Sequence, residues 1–256
     1  MLDGPTIDPK EILPQLLDFI RKRTAASGRH RLVIGLSGGL DSTTSAYLGV
    51  RALGRENLVG YIMPYTTSSA ESTKDAVLVA GELGIEHGTV DITPMVDAYF
   101  RSFPDASKVR KGNFMARMRM AILYDRSEVQ DALVLGTGNR TEALLGYTTL
   151  WGDMACAFTP LGSLYKTQVR QLAAPLGVPQ KIIDKPPSAD LWAGQTDEGE
   201  LGLTYEEVDK LLYNMFDLEY DNKALKKAGF DSSFIKKIRS MVAANAFKRQ
   251  MPDRPG

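Results

Sequence analysis

Apolar residues recur at helical spacing over residues 9–24 (PKEILPQLLDFIRKRT), which predicts an N-terminal helix. Residues 31–36 (RLVIGL) form a short apolar run ending near glycine, the pattern of a buried strand feeding a turn. The turn is SGGLDS at 37–42, and Asp41, Ser42 and Thr43 open a helix that runs to about Leu53. The alternation then repeats. Residues 57–63 (NLVGYIM) predict a second strand, 69–83 its helix behind a Ser-rich cap, and 86–92 a third strand. Residues 94–103 and 113–130 read as helices, 132–137 (ALVLGT) as a fourth strand, and the TEALLG segment as the helix after it. Strands alternating with helices imply βαβ units, hence an α/β fold with a doubly wound parallel sheet flanked by helices. Such sheets bind ligands at the carboxyl ends of their strands, so the Gly-rich turns at 35–39 and 136–138 are expected to face one crevice.

Beyond residue 160 the pattern turns helical, with segments at 163–175, 179–184, 204–215 and 231–247. Between them, residues 185–202 (KPPSADLWAGQTDEGELG) are rich in Pro, Gly and acid and lack periodicity. A stretch of that length reads as a mobile active-site loop, with a plain linker as the alternative. The whole chain, 1–256, is expected to form one domain.

Composition narrows the partners. Lys plus Arg and Asp plus Glu balance at 31 each, so the net charge is zero and a polynucleotide partner is disfavoured. The single cysteine, Cys156, can form no internal disulfide and reads as a small packed residue. His30 and His87 show no ligand spacing. No signal-peptide pattern or membrane-spanning apolar run is present, so a cytoplasmic, reducing compartment is expected.

The first turn carries the chemistry. Its small residues let the backbone approach a phosphate, the amides of Gly35, Leu36, Ser37, Gly38, Gly39 and Leu40 surround the place a phosphate would take, and Ser37 and Ser42 add hydroxyls. It holds no lysine, so it is no Walker loop, and the dinucleotide pattern G-x-G-x-x-G is absent. Asp41 would repel phosphates unless a cation intervened. For Asp41 and Ser42 alone, a helix cap is the simpler account. With the strand, the double glycine and Ser37 in place, the assignment shifts to Mg²⁺, which takes one or two carboxylates plus phosphate oxygens.

SGGLDS resembles the pyrophosphate-binding signature of the N-type ATP pyrophosphatases. Six further segments, in order, resemble the NAD synthetase family within that group: GNFMARMRM at 112–120, LGTGNRTEALLGYTTLWGD at 135–153, PLGSLYKTQV at 160–169, KPPSADL at 185–191, GQTDEGELGLTYEEVD at 194–209 and FKRQMP at 247–252. The resemblance implies an adenine nucleotide alpha hydrolase-like, Rossmann-like fold and an ATP-dependent ligase. Such a ligase adenylates the carboxylate of deamido-NAD, releases pyrophosphate and passes the acyl group to ammonia. It also implies roles for single residues. Thr137, Lys166 and Ser188 contact ATP, Glu142 joins Asp41 on Mg²⁺, and Arg117, Phe247 and Lys248 bind deamido-NAD. Leu150 and Ala157 depart from the family pattern, which often has lysine and aspartate there for the dinucleotide. Asp153 is a candidate to assist ammonia. A homodimer is implied, as is free ammonia or a separate glutamine amidase as nitrogen source. Alternatives are a related ligase acting on another carboxylate and a nucleotide-binding module without catalysis.

Overall fold

The structure is a computed structural model that describes residues 4–188, 190, 192, 197, 199 and 202–252. Its first helix, α1 (Pro9–Ala26), is opened by Asp8, whose side chain accepts the Lys10 amide, and by proline at the first helical position. β1 (Arg31–Gly35) runs into the first Gly-rich turn and α2 (Leu40–Leu53). β2 (Leu58–Ile62) leads to α3 (Ala70–Leu83), and β3 (Glu86–Thr89) to α4 (Thr93–Phe100) and α5 (Lys108–Val129). β4 (Ala132–Val134) then feeds the short α6 (Arg140–Leu145).

All strand pairs are parallel, in the order β3-β2-β1-β4. The chain builds outward from β1 through β2 to β3, then returns to add β4 on the other side of β1. That reversal is the topological switch point at which doubly wound sheets open a crevice. The two Gly-rich turns leave β1 and β4, so both face it.

The helices form layers because the central strands β1 and β2 are buried on both sides. Leu32 and Ile34 of β1 face a core with α1, α2, α3 and α7 (Lys166–Leu176), while Val33 faces α4 and α5. α8 (Gln180–Ile183) follows α7, and α9 (Tyr205–Phe216) lies further along the chain. α9 packs with α6, α10 (Asn222–Lys227) and α11 (Ser232–Ala244) into a third apolar cluster around Val208, Leu211 and Leu212.

Several boundaries differ from the pattern-based expectation. α5 starts at Lys108 rather than 113, because the Ser107 side chain accepts the Arg110 amide and opens the helix where apolar periodicity is still absent. α7 starts at Lys166 rather than 163, since Gln168 accepts the Tyr165 amide in a capping box. β3 stops at Thr89 and β4 at Val134, short of 92 and 137. The 231–247 segment is α11 followed by a 3-10 turn at Ala246–Arg249, and α10 had no apolar period to announce it. Half of the 185–202 loop, residues 189, 191, 193–196, 198, 200 and 201, lies outside the described residues.

Candidate active site

The first turn is held by its own hydroxyls. The Ser37 amide and hydroxyl reach the Ser42 hydroxyl at 3.3 and 2.9 Å, and the Gly39 amide donates to the Ser37 hydroxyl at 3.2 Å. Gly38 has φ +72°, and a Cβ there would stand 2.2 Å from the Ser72 carbonyl oxygen. The turn therefore packs against α3 as only glycine permits. Gly39 is the N-cap of α2 and contributes no side-chain acceptor. The first amides of a fourteen-residue helix thus remain available to an anion, with the helix dipole behind them.

Three charges meet beside this turn. Asp41 comes from the first turn of α2, Glu142 from α6 and Lys166 from the start of α7. The Lys166 ammonium, whose side chain is 6% exposed, is hydrogen-bonded to Asp41 and lies 3.4 Å from Glu142. It also sits 5.3 Å from the centre of the Tyr205 ring. Asn139 ties the carboxylates together. Its side chain donates to Asp41 at 3.0 Å and accepts the Glu142 amide at 3.0 Å as the cap of α6. Burial, and then the neighbouring Asp41, push the Glu142 carboxyl upward against the pull of Lys166. For Lys166, burial opposes the charge, but Asp41 and Glu142 outweigh it and hold its proton more firmly than usual. A third carboxyl, Asp197, faces the same cavity; burial raises it and Lys166 partly offsets the shift.

The cavity encloses about 560 Å³. Of the residues expected from sequence, Gly35, Leu36, Ser37, Gly39, Leu40 and Asp41 line it from the first turn. Ser42, Thr137, Glu142, Lys166, Ser188 and Lys248 line it from other sides. Gly38, Arg117, Leu150, Ala157 and Phe247 do not. Gly38 turns its carbonyl toward Lys185 at 3.4 Å. Arg117 donates to the Leu150 carbonyl at 3.2 Å on the surface. The Ala157 amide pairs with the Val134 carbonyl, extending the sheet edge, and Phe247 is 56% exposed. Lys248 is held by the Gly146 and Thr148 carbonyls at 2.7 and 2.9 Å. Cys156 lines the cavity, but burial pushes its thiol up to about 11, which fits packing rather than nucleophilic attack.

A model of the NAD synthase family matches residues 12–252. The chain belongs to that family. Among its NAD synthase relatives, the NH(3)-dependent NAD(+) synthetase of Trichlorobacter lovleyi is 52% identical over 246 residues, spanning 96% of this chain and 90% of that protein. The NH(3)-dependent NAD(+) synthetase of Chlorobaculum tepidum is also 52% identical, over 93% of this chain and 86% of that protein. Two solved structures share the fold nearly throughout. NMN synthetase from Francisella tularensis is 35% identical with a TM-score of 0.85, covering 97% of this chain and 99% of that one. NH3-dependent NAD synthetase from Campylobacter jejuni is 34% identical with a TM-score of 0.83, covering 98% and 100%.

In this NAD synthase family member, sequence reasoning missed residues that line the cavity or hold its charged cluster. Asn139 read as part of a motif, yet it is the link between Asp41 and Glu142. Arg119, not Arg117, is the arginine of α5 that reaches the cavity, donating to the Met63 carbonyl at 3.0 Å, and burial holds its guanidinium below the usual value. Lys185 clamps the first turn to α3 through Ser72 and the buried Asp75, at 3.1 and 2.9 Å. A G-N-R-T-E string after a strand was the available signal for Asn139, because asparagine three residues before glutamate is a capping pattern. For Arg119, its three-residue offset from Ala116, which also lines the cavity, marks the inward helix face.

Proposed function

We propose that this chain is an ammonia-dependent NAD synthetase. ATP, deamido-NAD and ammonia become NAD, AMP and pyrophosphate. A carboxylate oxygen of deamido-NAD attacks the α-phosphorus, and the bond to pyrophosphate breaks. Ammonia then attacks the adenylated acyl carbon, loses a proton, and AMP leaves with the original carboxylate oxygen. The observation that carries this reading is the Asp41, Lys166 and Glu142 cluster set directly under the amides of the first turn.

In this reading the turn from Gly35 to Ser42 cradles the pyrophosphate, and Thr137 and Ser188 contact the rest of ATP. Lys166 turns from the carboxylates to the phosphates, where charge accumulates as the α-phosphorus bond breaks. Asp41 and Glu142 fit a Mg²⁺ ion: two adjacent carboxylates, with Glu142 raised by burial and then by Asp41, are what a phosphate-bound Mg²⁺ takes from protein. Bound there, the metal supplies charge neutralisation of the leaving pyrophosphate. Asp153 accepts the Thr149 amide at 2.7 Å, and burial raises its carboxyl, which suits a group that takes a proton from incoming ammonium. Lys248, which lines the cavity, serves as a contact for the dinucleotide, while Arg117, Phe247, Leu150 and Ala157 lie outside the lining. A homodimer and a cytoplasmic setting complete the reading.

A second reading concerns the substrate only. The Francisella tularensis protein named NMN synthetase matches this fold with a TM-score of 0.85. A mononucleotide carboxylate could take the place of the dinucleotide without any change at the Asp41 cluster. One assay decides both. Protein, ATP, Mg²⁺ and ammonium are incubated with deamido-NAD or with nicotinate mononucleotide. NAD, AMP and pyrophosphate in equal amounts, with a higher kcat/KM for deamido-NAD, support the first reading. Preference for the mononucleotide supports the second, and ATP binding without pyrophosphate release on either substrate contradicts both.

A further inference from the structure

Asp209 is fully buried on α9, at 0% exposure, and does not line the cavity. Its neighbours Val208, Leu211 and Leu212 are the apolar centre of the third cluster. A carboxylate in such a place is costly unless its oxygens are satisfied, and packing alone would be served by an apolar residue. Its partners explain its presence. The Thr141 hydroxyl donates to one oxygen at 2.5 Å, and the Thr167 amide donates to the other at 2.8 Å. The Lys166 amide in turn donates to the Thr141 hydroxyl at 2.9 Å. Thr141 is the residue before Glu142, and Lys166 and Thr167 are the first two residues of α7. The carboxylate therefore sits at the positive end of an eleven-residue helix and joins it to α6.

We infer that Asp209 is a positioning residue that fixes Glu142 and Lys166 relative to each other from the C-terminal helical layer. Asn139 joins Asp41 to Glu142, and Asp209, through Thr141 and the start of α7, joins Glu142 to Lys166 on the core side. Together they lock three charges that arise from three separate helices. Thr141 is the relay, since its hydroxyl both donates to Asp209 and accepts from Lys166. The inference rests on the proposed ligase reading for its kinetic consequence, but not for its geometric one.

The test uses Asp209→Asn, Thr141→Val, Thr141→Ser and the double variant Asp209→Asn/Thr141→Val. Each is followed by thermal unfolding, steady-state kinetics and a crystal structure. A supporting carboxylate of this type is worth roughly 10–100-fold in activity, so D209N and T141V should each lose that much in kcat with KM for ATP changing only a few-fold. The double variant should be no worse than the weaker single one. Thr141→Ser, which keeps the hydroxyl, should recover kcat to within a few-fold of the wild type. In the D209N and T141V crystals, Lys166 and Glu142 should be displaced relative to each other. Folded D209N and T141V with wild-type kcat, additive losses in the double variant, or unmoved Lys166 and Glu142 would each overturn the inference. If D209N does not fold, T141V carries the same readouts. If the wild type itself makes no NAD, the ligase reading fails, while the crystal structures still decide the positioning role.

Discussion

At the scale of single residues, the account turns on Lys166. It is the cation between two half-buried carboxylates, and in the proposed reaction it meets charge that develops on pyrophosphate. Lys166→Met should therefore lower kcat by about 10²–10³-fold, the magnitude seen when one preorganised donor is removed from a developing charge. Pyrophosphate release measures this, and a kcat within a few-fold of wild type would contradict the role. Glu142 makes the opposite kind of prediction. A carboxyl whose folded pKa lies above its ordinary 4.5 binds its proton more tightly in the fold. Its ionisation thus costs stability as pH rises from that value through the raised one. Glu142→Gln removes that cost, so the ligand-free variant should melt above the wild type, by a margin that widens as pH climbs above 4.5, while activity is lost. A margin that shrinks with rising pH would show that Lys166, not burial, governs Glu142.

At the scale of elements, the first turn is the part whose geometry is least tolerant. Gly38 holds φ +72°, and a Cβ would overlap the Ser72 carbonyl. Gly38→Ala should cost about 1–2 kcal/mol for the left-handed backbone alone, and more for the overlap. Urea unfolding measures the loss, and calorimetry should show weakened ATP binding. Unchanged stability and affinity would mean that the turn does not depend on its contact with α3.

The same scale shows what the chain reveals unaided. The β1, β2 and β4 runs are short and apolar, so the parallel sheet and its crevice follow from periodicity and βαβ rules, while the strand order does not. Helix starts depend on caps instead. Ser107 opens α5 over Lys108–Gly112, where no apolar stripe exists, and α10 is a charged turn anchored by Leu225 alone. Within the site, Asp41 and Lys166 sit in motifs and can be found by reading along the chain. Asn139 and Asp209 act through contacts 98 and 68 residues away, and no local pattern encodes those distances. Arg119 and Arg117 differ only in which helix face they occupy, and the apolar stripe of α5 is too weak to choose between them.

At the scale of the molecule, the sheet reversal at β1 and β4 gathers residues from α2, α6 and α7, with α5 and the segment after α8 closing the sides. No helix among the described residues is long and apolar enough to cross a membrane. Among the described residues, the cavity's one cysteine, Cys156, has its thiol pushed up to about 11 by burial, which does not suit it to releasing ammonia from glutamine. Glutamine alone should therefore support no NAD formation by the isolated chain, whereas ammonium should; turnover with glutamine would contradict this. The central claim is that the substrate carboxylate is activated by transfer to the α-phosphorus. Deamido-NAD labelled with ¹⁸O in its carboxylate tests it most directly, with mass spectrometry of the AMP released. The account predicts one ¹⁸O atom in the AMP phosphoryl group for each NAD formed. Unlabelled AMP, or ADP and phosphate in place of AMP and pyrophosphate, would contradict it.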